Sequence, residues 1–190
     1  MNWQDFEQKW GHLRNRKGIP HLLGELGMTG IGVEVGVLAG DFSKNLLLHS
    51  KLSLVVSVDP WKRLSGYRDY REKNSLDWEV LYQRVVLRLK PFGARSRICR
   101  KLSTEAAAEF VSGSLDFVYI DADHQYVPCL QDINIWWPKI RVGGLISGHD
   151  YRNGRACQVL EAVKAFSQSK ALKVFKTREG NPSWGIVKLK

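Results

Sequence analysis

The sequence predicts one α/β domain: a seven-stranded, mostly parallel sheet with helices on both faces and an antiparallel final strand. Three observations carry that prediction. Short apolar runs alternate with helical stretches along most of the chain, the rhythm of βα units that build a parallel sheet. The stretch Gly30 to Leu48, GIGVEVGVLAGDFSKNLLL, reads as strand, glycine-rich turn and helix start. The last two apolar runs are joined by a short turn instead of a helix, which makes one of them antiparallel.

Size and composition bound the possibilities. A chain of 190 residues can bury one good core and is short for two. Its 44% hydrophobic and 25% charged residues argue against disorder. No apolar run approaches the roughly 18 to 20 residues of a membrane span, and MNWQDFEQKW lacks the apolar segment of a secretory signal. Cys99, Cys129 and Cys157 fit neither a zinc spacing nor a CxxC pair, so buried free thiols in a reducing, cytoplasmic setting are expected. The net charge is +10, and Lys51 to Lys101 holds 13 basic against 5 acidic residues. No RNA-binding or zinc-finger signature accompanies the excess. A solvated face, or one attracting an acidic small substrate, is expected over a nucleic-acid groove. Homo-oligomer formation is left open.

Taken in order, residues 1–29 form an N-terminal helical segment. Trp3, Phe6 and Trp10 recur near helical spacing up to Leu13, and His21 to Leu26 gives a second short helix. The segment should cover one side of a pocket and carries no catalytic pattern. Residues 30–190 form the sheet domain. Its strands are expected at Ile31 to Val35, Leu54 to Val58, Arg97 to Leu102, Leu115 to Ile120, Leu145 to Gly148, Leu172 to Phe175 and Trp184 to Leu189. Helices are expected from about Leu76 to Leu89, from Ser103 to Val111, from Leu130 to Trp137 and from Ala156 to Phe166. Pro60, Pro91 and Pro138 punctuate these elements. Gly66 to Asn74, polar and aromatic, reads as a surface excursion over the site.

In an open α/β sheet, ligands bind at the carboxyl ends of the strands. Polar residues recur at those ends: Glu34 to Gly36, Asp59, Ser103, Asp121 with Asp123 and His124, then His149 with Asp150. A lone Asp after a strand is usually a turn-former. A succession of such ends facing one crevice is harder to explain that way. Gly32, Gly36 and Gly40 are each four apart, so the dinucleotide pattern G-x-G-x-x-G is missing, and no Gly-Lys-Ser/Thr follows to make a P-loop.

The ordered set resembles a class I S-adenosylmethionine-dependent methyltransferase. It comprises E-V-G-x-x-x-G after strand one, an acid ending strand two, D-F-V-Y-I-D-A-D-H-x-Y at strand four and G-G-L-I-S-G-H-D-Y at strand five. The last two motifs are similar to small O-methyltransferases of the catechol, caffeoyl-CoA and sugar-tailoring kinds. The resemblance covers about residues 30 to 190 and implies a Rossmann-like fold with S-adenosylmethionine (SAM) as cofactor. It further implies that Glu34, Gly36, Gly40 and Ser43 surround the methionine end and that Asp59 binds the ribose hydroxyls. Trp61 would lie beside the sugar or adenine or serve packing, Ser103 near the adenine, and Asp121 next to the transferred methyl. In metal-dependent relatives the positions of Asp121 and Asp150 bind a divalent cation, usually Mg2+. Two departures stand out: Tyr151 replaces the usual Asn, and His124 replaces the usual Lys.

The implied reaction is SN2 transfer of a methyl group to a small hydroxylated acceptor, with Asp121, His124, His149 and Asp150 as catalytic candidates. Either His, or a metal, would assist the base. The rival readings are an NAD-type oxidoreductase, which the missing glycine fingerprint disfavours, and a cofactor-binding module without turnover.

Overall fold

Ile31–Val35 forms β1 at the centre of the sheet, flanked in parallel by β2 (Leu54–Val58) and β4 (Leu115–Ile120). In this computed structural model, which describes residues 3–63 and 77–189, the strand order is β3-β2-β1-β4-β5-β7-β6. β3 is Ser96–Cys99, β5 Ile140–Gly148, β6 Phe175–Lys176 and β7 Trp184–Val187. β7 runs antiparallel to both β5 and β6. The order reverses between β1 and β4, which opens a crevice at the carboxyl ends of those strands. The excursion expected at Gly66 to Asn74 lies outside the described residues.

The period-two alternation of the strands divides the core into two layers. Val33, Val35, Val56, Val58, Val118 and Ile120 face α5 (Ser103–Ala108), α6 (Tyr126–Trp136) and α7 (Val159–Ser169). The intervening Val55, Phe117 and Tyr119 face α1 (Trp3–Gly11), α2 (Ile19–Glu25), α3 (Asp41–His49) and α4 (Trp78–Leu89). Leu81, Val85 and Leu89 recur every four residues and bury one stripe of α4. Asp77 starts that helix by accepting hydrogen bonds from the N–H groups of Glu79 and Val80. The N-terminal helices belong to the same core, where Phe6 packs edge-on against Phe175 at 4.9 Å between ring centres.

Most element positions match the sequence, but β6 (Phe175–Lys176) overlaps the expected Leu172 to Phe175 at one residue, and α5 stops at Ala108, short of Val111. α6 begins at Tyr126, ahead of the expected Leu130, because Pro128 falls in the first turn, where its missing N–H costs nothing. β5 begins at Ile140, ahead of Leu145, and runs through Gly143 and Gly144. A register shift between Leu115 and Phe117 accommodates it. β3 stops at Cys99 because the Lys101 N–H turns back to the Cys99 carbonyl. α7 starts at Val159 and not Ala156, since Cys157 bridges to Gly154.

Much of the basic stretch is already paired. Arg88 meets Asp41, Arg100 meets Glu79, and Arg97 and Lys101 share Glu109. Arg95 caps the carbonyls of Leu47, Ser50 and Leu52. The three cysteines are free and buried. Among the described residues no helix is long and apolar enough to cross a membrane.

Candidate active site at the carboxyl ends of the strands

The turn after β1 is fixed by backbone geometry and by one carboxylate. Gly36 adopts φ +88°, and a Cβ there would lie 2.2 Å from the Asp121 carbonyl oxygen. Only glycine lets the ends of β1 and β4 approach so closely. Asp59, at the end of β2, accepts hydrogen bonds from the N–H groups of Val37 and Leu38 at 3.0 Å and of Trp61 at 2.8 Å. Three non-glycine residues with positive φ, Leu38, Trp61 and Asp150, lie in the loops after β1, β2 and β5. Such backbone strain concentrates at working sites.

Two lobes meet at this turn, sharing Gly36, Leu38 and Asp121. The first, of about 630 Å3 open to solvent, is walled by Val35, Val58, Pro60, Trp78 and Ala122, with Asp59, Ser103, Lys62 and Lys101 at its polar edges. The second, of about 400 Å3, is polar and is lined by Glu34, Asp41, Phe42, Asp121 and Arg16. Glu34 is 2% exposed, and its carboxyl group accepts a hydrogen bond from Ser43. Ser43 bonds in turn to Ser57 at 2.6 Å. Burial pushes Glu34 up to about 8, against the opposing effect of the Ser43 hydrogen bond.

At the ends of β4 and β5, Asp121, His124, His149 and Asp150 come together. The His124 Nε2 lies 3.4 Å from Asp121 Oδ1 and 3.2 Å from Asp150 Oδ2. His149 Nδ1 is also 3.2 Å from Asp150 Oδ2. Burial works to lower His124, but the hydrogen bonds and charges of the two carboxylates outweigh it and lift the group to about 10. At neutral pH His124 is therefore an imidazolium, a proton donor and not a base. Asp150 is held well below the usual carboxylate range: burial opposes ionisation, and His124 and His149 overcome it.

The donor set decides whether Mg2+ suits this cluster. Asp121, His124 and Asp150 bring ligand atoms within 4.8 Å of one another. Mg2+ favours octahedral oxygen ligation and keeps several waters. Here a ring nitrogen sits between the carboxylates, and the remaining oxygens face Arg16 at 2.8 Å and Arg152 at 3.2 Å. A cation would have to displace positively charged partners from both acids. The residues fit Mg2+ poorly.

The sequence-predicted residues thus take different places. Glu34, Gly36, Asp59, Ser103 and Asp121 line the two lobes. Gly40 is the N-cap of α3, at φ +79°. Ser43 is fully buried and reaches the cleft only through Glu34. Trp61 is also fully buried; its ring packs on Tyr82 and its Nε1 donates to the Leu38 carbonyl, so it props the turn from below. Ser103 accepts a hydrogen bond from Trp136 Nε1 at 2.9 Å. The residue missing from the sequence reading is Arg16. Its guanidinium crosses from the N-terminal segment to Asp121, and nothing in the run Arg14-Asn15-Arg16-Lys17 marks that destination.

This strand order, its one reversed strand and a two-lobed cleft at the switch point define a Rossmann-like enzyme fold with a site for an elongated small molecule. Residues 33–151 match the methyltransferase-domain family, and the chain belongs to it. A curated relative, an uncharacterised protein of Acanthamoeba polyphaga mimivirus, is 26% identical over 132 residues. That match covers 69% of this chain and 56% of the relative, so the chain spans little more than half of its length. Among solved structures, an O-methyltransferase from Bacillus cereus in complex with SAH aligns with TM-score 0.62 and 18% identity over 91% of this chain and 80% of that one. The O-methyltransferase TomG from Streptomyces achromogenes, in complex with SAM, aligns with TM-score 0.60 and 14% identity over 91% and 79%.

Proposed function

We propose that the protein transfers a methyl group from SAM to an oxygen of a small acceptor. The observation that carries this reading is the pairing of an apolar lobe with a charged one across Gly36 and Asp121. SAM is a nucleoside joined through a sulfonium to a zwitterionic amino acid. Its adenine suits the walls of Val58, Pro60 and Trp78, with Ser103 at the edge. Its ribose hydroxyls suit Asp59, since an ionised carboxylate is a strong acceptor. The amino-acid tail suits the lobe of Glu34 and the N-terminal turn of α3. The sulfonium and its methyl then fall at the junction, beside Asp121.

Transfer is a single displacement: the acceptor oxygen attacks the methyl carbon, the carbon–sulfur bond breaks, and S-adenosylhomocysteine (SAH) leaves as a neutral thioether. Alignment of oxygen, carbon and sulfur supplies most of the acceleration, up to roughly 7 to 11 kcal/mol in favourable systems. His149 is the better base. Asp150 engages its Nδ1, which leaves Nε2 to take the acceptor proton, the logic of an oriented carboxylate–imidazole pair. His124 holds Asp121 and Asp150 together as a fixed positive charge. Residues 30–190 would form the catalytic unit, with residues 1–29 closing one wall. Three reduced thiols suit a cytoplasmic setting.

Thermal melting with SAH, with NAD and with MgCl2 tests the reading directly. A ligand at about 100 times its Kd stabilises by roughly 2.7 kcal/mol. At about 2 to 4 °C per kcal/mol for a chain of this size, SAH should raise the melt by roughly 5 to 11 °C. A shift with NAD and none with SAH overturns the proposal. A screen of hydroxylated sugars, phenols and acidic acceptors with labelled SAM would then identify the substrate.

A further inference from the structure

Arg16 occupies an unusual place for a residue of the N-terminal segment. Its backbone N–H is held by Glu179 Oε1 at 2.9 Å, in the turn between β6 and β7, where Thr177 also bonds the same oxygen at 2.9 Å. With the backbone fixed there, the side chain reaches into the polar lobe. Nη1 meets Asp121 Oδ2 at 2.8 Å, and the guanidinium lies 5.8 Å from the centre of the Phe42 ring. The side chain is 35% exposed, so a ligand can reach it.

The charges of that lobe make this position matter. Its ionisable lining is Glu34, Asp41, Asp121 and Arg16, so Arg16 is its one cation among the described residues. Asp41 is exposed and already paired with Arg88. Across the lobe, α3 begins at Gly40, which offers no side chain to cap the helix, and the first-turn N–H groups follow directly. An anion entering here meets the helix N-terminus on one wall and a guanidinium on the other. Without Arg16, Asp121 Oδ2 would stand uncompensated on this lobe and repel an incoming carboxylate.

We propose that Arg16 is the specificity-determining counter-ion for the carboxylate of the cofactor's amino-acid tail. In the ligand-free protein it is stored on Asp121. When the cofactor enters, the side chain swings from Asp121 to the incoming carboxylate, while its backbone stays on Glu179. The exchange replaces one charge pair with another, and it frees Asp121 Oδ2 beside the methyl group at the moment the donor is in place, with His124 still on Oδ1. This inference rests on the methyltransferase reading above, and deepens it by assigning the tail's recognition to a residue outside the matched family segment.

Calorimetric titration of the full chain with two nucleosides separates the possibilities. SAH carries the carboxylate, whereas 5′-methylthioadenosine keeps adenine, ribose and sulfur but has no amino-acid tail. Arg16→Gln should weaken SAH about ten- to hundredfold, the scale of a lost charge-assisted hydrogen bond, and leave methylthioadenosine within about twofold. S-adenosyl-3-thiopropylamine, which retains the amine alone, should likewise be insensitive to the substitution. Arg16→Lys, which keeps the charge without the planar fork, should fall between wild type and Arg16→Gln. Equal loss for SAH and methylthioadenosine would make Arg16 a prop for the N-terminal segment and overturn the proposal. So would unchanged SAH affinity in both variants. If wild-type protein binds methylthioadenosine as tightly as SAH, this inference fails while the nucleoside site survives. If wild type binds neither, the methyltransferase reading fails with it.

Discussion

The apolar lobe draws its walls from the ends of β1, β2 and β4 and the approach to α5, whereas the polar lobe is completed by Arg16, which precedes the sheet. In the first, the polar groups follow the ends of β2, β3 and β4, so position in the fold follows from position along the strand. In the second, the decisive cation lies 105 residues from the acid it meets. Strand-end groups are placed by the sheet itself, which is rigid. Arg16 is placed by a turn anchored on Glu179 and by a side chain free to exchange partners. The two lobes should therefore respond differently to substitution: the apolar one through affinity for any adenosine, the polar one through discrimination among tails.

The largest effect should appear where the lobes join. His149→Ala removes the proposed base and should lower kcat by about 10²- to 10⁴-fold with whichever acceptor the labelled screen returns. SAH affinity should stay within about twofold, because His149 is assigned to neither lobe. A comparable loss in SAH affinity would move His149 from chemistry to cofactor binding. Asp59→Ala comes next. It should weaken SAH and methylthioadenosine together by about tenfold or more, since hydrogen bonds to charged groups are worth roughly 1.5 to 3 kcal/mol each. The ligand-free melt should also fall, as the Val37, Leu38 and Trp61 N–H groups lose their acceptor. Asp59→Asn keeps one acceptor oxygen and should lie between. If Asp59→Ala spares methylthioadenosine but not SAH, the assignment of the lobes is reversed.

A smaller effect belongs to Glu34, and its sign can be worked out. Burial lifts this carboxyl from 4.5 to about 8, so across that interval the folded chain keeps a proton that the unfolded chain releases. Stability from that proton is full below the unfolded value and declines as pH rises toward 8. Glu34→Gln cannot ionise, so its stability relative to wild type should improve between about pH 5 and pH 8, by at most about 1.4 kcal/mol per unit. Urea unfolding at both ends of the interval checks this. A difference that does not change with pH would mean that Glu34 is ionised in the folded chain.

Much of this site was legible because its chemistry is local. Glycines at Gly36 and Gly40, acids closing β2 and β4, and the His149–Asp150 pair at the end of β5 each lie at a strand end that hydrophobic periodicity could locate. Periodicity could not assign depth. Trp61 and Ser43 sit at the right sequence positions yet face inward, because the chain turns through φ +39° at Trp61 and because Ser43 lies on the face of α3 that covers Glu34. Nor could spacing reveal that His124 lies between two carboxylates, which turns a candidate base into a fixed cation. Arg16 was illegible for the same reason. Tertiary contacts between segments far apart leave no periodic trace.

The smallest expected effect is none at all, and it tests the cluster most sharply. Dialysis against EDTA should leave methyl transfer within about twofold of the untreated protein, since the imidazolium of His124 stays between Asp121 and Asp150 and Arg152 answers the second acid, even once Arg16 has moved to the cofactor. His124→Asn removes the cation from between the acids and supplies an amide oxygen in its place. The two carboxylates should then repel, and the variant should melt below wild type at pH 7. Added Mg2+ should raise the melting temperature of that variant more than that of wild type, because oxygen donors now surround the gap. Loss of wild-type activity in EDTA, restored by a divalent ion, would show instead that the metal displaces His124 in the working enzyme.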